Sequence, residues 1–398
     1  MIGSVMLLLF FLLLFFFIRV RRPKNFPPGP RPLPILGNLL QLDPVNPLKD
    51  LERLKRRYGN VFSLYIGSRP VVVLNGLEAV REALVTRTAE FSGRPNHLMI
   101  SDITEGKERI LEEVSHICSE LERNAGSSMD PQHLFHLAAS NIICSLIYGE
   151  RFEYDNPVFL TLISRIQDLT KIAIGPWAML YELIPALRAL PLPFKKAFHI
   201  YDEIKEHAQK AVTRHKSSRV TGEPRDLIDC YLDQIDKTGD GGSTFNDVQM
   251  VFLLIDLFIA GTDTTSNTLR CAILHLMTNQ HIQERCHWEI EDVIEGRSYA
   301  SFEDRHAMPY VQAVIHESQR MADTVPLSRA SGSSLRSSRV CLGEGLARME
   351  LFLILVTLLR RFQFVWPEQE GAPDFRQIFG IAQAQKPYRL GVRLRSSQ

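Results

Sequence analysis

Residues 250–265 read MVFLLIDLFIAGTDTT. From Met250 to Ala260 the run is apolar on every side of a helical wheel, interrupted only by Asp256, and helical patterning extends from Asp247 to Asn279. A helix without a polar face is expected in the middle of a domain. Thr244 and Asp247 stand at capping-box spacing ahead of it. At Gly261-Thr262-Asp263-Thr264-Thr265 the composition turns polar while the helix continues. Gly and Thr cost from a few tenths to about 1 kcal/mol each against Ala in a helix interior. Hydroxyls and a carboxylate at that depth also need partners. Two readings stay open: a stretch facing a ligand or water chain, or a Thr back-bonded bend with no chemistry.

The patterns on either side are mostly helical. Asp50–Tyr58 reads as a charged helix, followed by strand-like runs Val61–Ile66 and Pro70–Leu74 around Gly67-Ser68-Arg69, which predicts a hairpin. Helices are predicted over 77–85, 108–124, 131–148, 158–174, 193–216, 226–235, 282–295, 308–320 and 342–361, with strands and turns from Gly371 onward. The expectation is a mainly α fold with small β-sheets.

Composition bounds the function. The 398 residues are 45% hydrophobic and 23% charged, close to globular averages. Forty-six Lys and Arg balance 45 Asp and Glu, so no whole-protein field attracts nucleic acid, and no nucleic-acid partner is expected. Six scattered cysteines with no C-x-x-C pair argue against a disulfide scaffold or a Cys-rich zinc module. The nearest zinc-like groupings, His116 with Cys118 and His281 with Cys286 and His287, read as solvated helix faces.

Met1 to Ile18 carries no charge, and Arg19, Arg21, Arg22 and Lys24 follow. Eighteen helical residues rise roughly 27 Å, about one thin bilayer. Positive charge on the C-terminal side holds that side in the cytosol. Residues 1–22 are therefore expected to be a transmembrane signal anchor. Residues 23–37, with Pro27-Pro28-Gly29-Pro30-Arg31-Pro32-Leu33-Pro34, are expected to be a stiff linker, and 38–398 the cytosolic body.

Near the C-terminus stands Arg339-Val340-Cys341-Leu342-Gly343-Glu344-Gly345. A cysteine just ahead of a helix faces free backbone N–H groups that favour thiolate. Gly343 and Gly345 let a backbone pass close beneath a flat ligand, and Arg339 suits an anionic one. Taken alone, such a cysteine is more often a buried small hydrophobe.

Ala260-Gly261-Thr262-Asp263-Thr264-Thr265, Glu317-Ser318-Gln319-Arg320 and Arg339-x-Cys341-x-Gly343 occur here in that order. Together they closely resemble the cytochrome P-450 superfamily. The anchor, the proline-rich run and Phe91-Ser92-Gly93-Arg94-Pro95 make the chain similar to vertebrate microsomal members of family 2. The resemblance implies a cytochrome P-450-like fold and heme b, with Cys341 as axial thiolate to the iron, Arg339 at a propionate and Gly343 beneath the ring. It implies Asp263 and Thr264 as the acid–alcohol pair guiding protons, Gly261 leaving room above the heme, and Glu317 with Arg320 as a structural ion pair. The implied activity inserts one oxygen atom from O₂ into a lipophilic substrate (fatty acid, steroid or foreign compound). NADPH electrons would arrive through a flavoprotein reductase at the endoplasmic reticulum membrane. Asn96–Lys107 and Phe152–Phe198, with Phe258 and Ile259, would line the pocket.

Two departures accompany the matches. Where the family has F-x-x-G-x-R-x-C-x-G, Ser334 and Ser337 replace the Phe and the first Gly, and residues 328–338 read SRASGSSLRSS. Only 20 residues separate Arg320 from Cys341. Near Lys107 the family's helix with W-x-x-x-R is absent: Trp177, Trp288 and Trp366 each lack an Arg four residues on. The fold is therefore expected to be incomplete at these two places. The alternative reading is a truncated splice form or gene-model product, anchored in the membrane, with weak or no heme binding and no catalysis.

Overall fold

A computed structural model describes residues 26–33, 36–43, 47–67, 69–86, 106–238, 245–325, 341–378, 380 and 382–395. They fall into two compact units, the smaller drawn from Met1–Asn96, Lys171–Ala197 and Arg329–Val340, the larger from the remainder. Residues 1–22, Thr244, Phe91–Pro95 and the run from 328 to Val340, Arg339 included, lie outside the described residues.

The smaller unit holds helix α1 (Pro47–Tyr58) and the antiparallel hairpin of β1 (Val61–Ile66) and β2 (Arg69–Leu74), in register from Val61↔Leu74 to Ile66↔Arg69. Leu54 of α1 packs on Phe62 and Leu64 of β1, so the helix covers one face of the hairpin. The proline-rich run is fastened to it: Ser63 donates its N–H to Pro28 O (2.8 Å) and its hydroxyl to Pro27 O (2.6 Å). Asn38 is buried, accepting from Tyr65 N (2.8 Å) and donating to Arg31 O (3.0 Å). Between them Gly37 adopts φ +62°, and a Cβ there would lie 2.2 Å from Tyr65 O, so only glycine fits the turn. Helices α2 (Leu77–Arg81), continued by a π turn to Thr86, and α6 (Pro176–Leu183) belong to this unit.

The larger unit is helical. It contains α3 (Gly106–Arg123), α4 (Pro131–Tyr148), most of α5 (Pro157–Ile174) and of α7 (Phe194–Ser218), and α8 (Leu227–Thr238). The long α9 (Asp247–Thr278), α10 (Gln280–Ile294), α11 (Pro309–Ala322) and α12 (Glu344–Arg361) complete it. A three-stranded antiparallel sheet orders β3 (Ser128–Met129), β7 (Leu390–Leu394) and β4 (Phe362–Val365), and β5 (Gln377–Ile378) pairs with β6 (Ala384–Gln385). One apolar core joins α3, α4, α9, α10, α11, α12 and β4 through Phe135, Ile142, Leu269, Ile273, Phe352 and Phe362. Buried Gln283 of α10 accepts from Phe364 N (2.7 Å) and donates to Phe364 O (2.9 Å), pinning β4 to the helical layer.

Two expectations for the long helix are corrected. Its N-cap is Asn246, whose side chain accepts from Gln249 N (3.0 Å). The apolar run 250–260 is not buried all round: Phe252, Asp256 and Ala260, spaced four apart, are exposed. Complete burial comes later, from Thr268 to Leu274, where the polar stretch has passed. Phe252 is covered on one side by Tyr201 of α7, the rings 6.5 Å apart. Among the described residues α9 is the one helix long and apolar enough to cross a membrane, and its burial makes it the core helix of the unit.

Candidate functional site

The polar stretch of α9 lies against α4. Gly261 faces Ile143: a Cβ built on it would come within 2.4 Å of Ile143 Cδ1. The space that this glycine keeps clear is thus filled by an α4 side chain, and helix–helix packing alone requires its smallness. Thr262 is buried, with Ser140 Oγ 3.4 Å from its hydroxyl. Thr264 donates to Ala260 O (2.7 Å) and Thr268 to Thr264 O (2.8 Å), the back-bonding that β-branched hydroxyls adopt inside helices. Asp263 points toward α4, its Oδ1 3.4 Å from Nδ1 of His136. Burial raises the Asp263 carboxyl above its ordinary value. His136 is lowered to about 4, first by burial and then by the neighbouring charges of His133 and Arg270. It is therefore neutral near pH 7, and the Asp263 contact is not an ion pair.

On the other side of α9 stands α12. Its Glu350 is 1% exposed, bonded to Thr265, with Oε1 unpartnered. Burial pushes this carboxyl up to about 8. Sequence reading missed both His136 and Glu350. Each lies within an apolar helical pattern, and the only signal was a lone polar residue on an otherwise buried face.

Cys341 stands three residues ahead of Glu344, the first residue of α12. Its carbonyl accepts from Glu344 N (3.2 Å), and Gly343 O accepts from Ala347 N (2.8 Å). No side chain caps this helix end. Of the six cysteines, Cys118, Cys144, Cys271 and Cys286 are buried, Cys230 is partly buried, and Cys341 is exposed. Burial raises the thiols of Cys118 and Cys271 to about 11 and of Cys286 to about 12, so they remain protonated. The bland reading of Cys341, a buried small hydrophobe, does not hold. A Cβ added to Gly343 or Gly345 would meet nothing within 4 Å, so the backbone beside the thiol is open.

Glu317 and Arg320 form a two-pronged pair on α11 (2.7 and 2.6 Å), with side chains 58% and 67% exposed. They meet each other but not the α9–α12 cluster. The groupings around His116 and His281 do not converge. The one metal-like cluster among the described residues is His215, Asp226 and Asp229, all buried. Its donors are already engaged: His215 Nε2 meets Asp226 Oδ2 and Nδ1 meets Ala211 O, both at 2.7 Å, while Arg225 holds Asp229 at 2.6 Å. It is a clasp between α7 and α8.

The family model of cytochrome P450 matches residues 27–108, 96–333 and 338–392, nearly the whole chain. The chain belongs to the cytochrome P450 family. This P450 is 33% identical to cytochrome P450 2B4 of Oryctolagus cuniculus, covering 86% of the chain and 88% of the relative. Cytochrome P450 2F2 of Mus musculus is 32% identical over 93% of the chain and 94% of the relative. Cytochrome P450 2D15 of Canis lupus familiaris is 33% identical over 94% of each. The family match to this P450 changes segment near residues 96–108 and again between 333 and 338. The alignment to P450 2F2 runs over 465 positions, more than the 398 residues of this chain, so the relative carries residues that this P450 lacks.

The family implies heme held by a thiolate, and the residues present fit that group. One cysteine offers an accessible sulfur, it stands at an uncapped helix N-terminus, and the glycines after it leave the adjoining space clear.

Proposed function

We propose that this P450 is a heme-thiolate monooxygenase that inserts one oxygen atom from O₂ into a lipophilic small molecule. The observation that carries the reading is Cys341: the exposed thiol, just ahead of the N-terminus of α12, with no side chain over Gly343 or Gly345. Cys341 would ligate the iron of heme b, Arg339 would contact a propionate, and Gly343 would lie beneath the ring. When bound, that group supplies O₂ activation, the thiolate favouring O–O cleavage. The chain's own residues supply protons and shape. Asp263, whose carboxyl burial raises, holds a proton more readily than a surface aspartate and can release it toward the neighbouring Thr264. The Thr264 hydroxyl, donated to Ala260 O at rest, has lone pairs free to accept. Gly261 lets α9 approach Ile143 closely enough to hold that stretch in place.

Fatty acids, steroids and foreign compounds are the substrate class. NADPH electrons would come through a flavoprotein reductase, with the chain anchored by residues 1–22 in the endoplasmic reticulum membrane. The microsomal relatives and the apolar, then basic, N-terminal sequence support that placement. The losses near residue 107 and between 328 and 338 agree with the segmented family match and put the load of heme retention on Cys341. The test is the reduced, carbon monoxide-bound difference spectrum of the detergent-solubilised chain, with heme quantified. About one heme per chain with a thiolate-type Soret band, abolished in Cys341→Ser, is expected. Absence of bound heme in the unsubstituted chain overturns the proposal.

A further inference from the structure

His136 has a contact that the fold alone does not require. It occupies a core position of α4, between buried Phe135 and Leu137, where an imidazole must find polar partners. Its Nδ1 lies 3.4 Å from Asp263 Oδ1, and its Nε2 is buried with no partner. At 3.4 Å the contact is longer than a fully made hydrogen bond, as acid–base contacts often are before substrate is bound. The charged groups facing the ring are exposed His133, one turn earlier on α4, and buried Arg270, two turns after Asp263 on α9. Glu113 of α3, a buried carboxylate on a neighbouring helix, is spent on Arg151 (2.9 Å) and Tyr154 (2.5 Å). Arg270 is itself without a carboxylate in contact: it donates to Gln385 O (3.0 Å), and its Nε has no partner. Two cationic or protonatable neighbours and burial keep the ring neutral. A neutral imidazole facing a carboxylate oxygen carries its proton on that side, so Nδ1–H is turned toward Asp263 and Nε2 keeps a free lone pair.

We infer that His136 is a positioning and proton-relaying residue behind Asp263, fixing the carboxylate through Nδ1–H and refilling it with protons taken up at Nε2. The inference rests on the monooxygenase reading, in which Asp263 supplies protons. The step balances. A hydronium at the inner face of the ring gives its proton to Nε2, forming one N–H bond, while the Nδ1–H bond breaks and its proton passes to Asp263 Oδ1. Water, the other neutral tautomer of His136 and a protonated Asp263 result. His133, one turn earlier on α4, is exposed.

The test has an arm that needs no turnover. In full-length chain labelled with ¹⁵N in the histidine rings, the His136 signals, assigned with His136→Asn, are expected to show the Nδ1–H tautomer with no titration between pH 5 and 8. They are expected to shift in Asp263→Asn. An Nε2–H tautomer, or signals indifferent to Asp263→Asn, overturns the pairing. In the heme-loaded enzyme, His136→Asn keeps an N–H donor near the Nδ1 position but has no second proton site. It is expected to lower the share of NADPH electrons reaching product by about tenfold, with a larger solvent isotope effect. Coupling and isotope effect unchanged from the unsubstituted enzyme overturn the relay. If the chain binds no heme, the monooxygenase reading falls while the ring signals still decide whether His136 and Asp263 pair.

Discussion

Glu350 gives the most direct handle on the buried layer between α9 and α12. Its carboxyl is 1% exposed, has one oxygen without a partner, and receives only the Thr265 hydroxyl. Burial raises it from 4.5 to about 8. A carboxyl whose folded value lies above its unfolded one favours the fold most below the unfolded value. That contribution shrinks as pH rises from 4.5 and is gone above about 8. Each pH unit in that window costs about 1.4 kcal/mol, so between pH 4.5 and 7 the penalty reaches about 3 kcal/mol. Glu350→Gln removes the ionisation while keeping the shape. At any single pH its stability also reflects whether the new amide finds acceptors, a matter of about 1–3 kcal/mol. The informative quantity is therefore the difference between the two proteins as a function of pH. Denaturant unfolding of both full-length chains at pH 4.5, 6 and 7.5 is expected to show Glu350→Gln gaining on the parent steadily as pH rises. Thr265→Val, which removes the bond that favours the ionised form, is expected to deepen the parent's alkaline loss. Parallel pH profiles for parent and Glu350→Gln would refute the reasoning, since they would mean that the carboxyl ionises as freely in the fold as outside it.

Other perturbations read other parts of the molecule. Arg151→Met strands Glu113, whose side chain is 2% exposed and whose carboxyl burial already raises, and is expected to cost about 3–5 kcal/mol by denaturant unfolding. Gly261→Ala drives a methyl into Ile143 and is expected to lower the thermal midpoint, with recovery in the double variant Gly261→Ala/Ile143→Val as the check. A maleimide reagent applied to heme-free protein under native conditions is expected to modify Cys341 ahead of Cys118, Cys144, Cys271 and Cys286, read by peptide mass spectrometry.

How far the sequence foretold the fold depends on the range of the interactions concerned. Periodicity placed α4 at Pro131–Tyr148 to the residue, and most other helices within two or three positions, because an apolar stripe is a local property. The hairpin around Gly67 was legible for the same reason: alternation on both arms and a short turn between them. α6, Pro176–Leu183, went unread because WAMLYEL is apolar with no clear stripe. β4 was missed because Phe362–Val365 follows α12 without a break, and only its pairing with β7 thirty residues later makes it a strand. The capping residue was misplaced by two positions because Asn246 caps as well as Thr, and spacing alone does not choose between them.

The site divides along the same line. Cys341 was legible because its helix start, its glycines and its neighbours are contiguous in the chain, and its exposure then separated it from the buried thiols. His136 and Glu350 were not, since each meets α9 across more than eighty residues of sequence and neither carries a local motif. Glu317 and Arg320 were legible as a pair for the same local reason: three residues apart on one helix, they meet each other at the surface. Asp263 stands between these cases. Its motif is local, but the burial that raises its carboxyl is not, and α4 sets a neutral histidine 3.4 Å from it. The acid of this helix is thus a property of two helices, and substitutions in α4 are expected to retune it as surely as substitutions in α9.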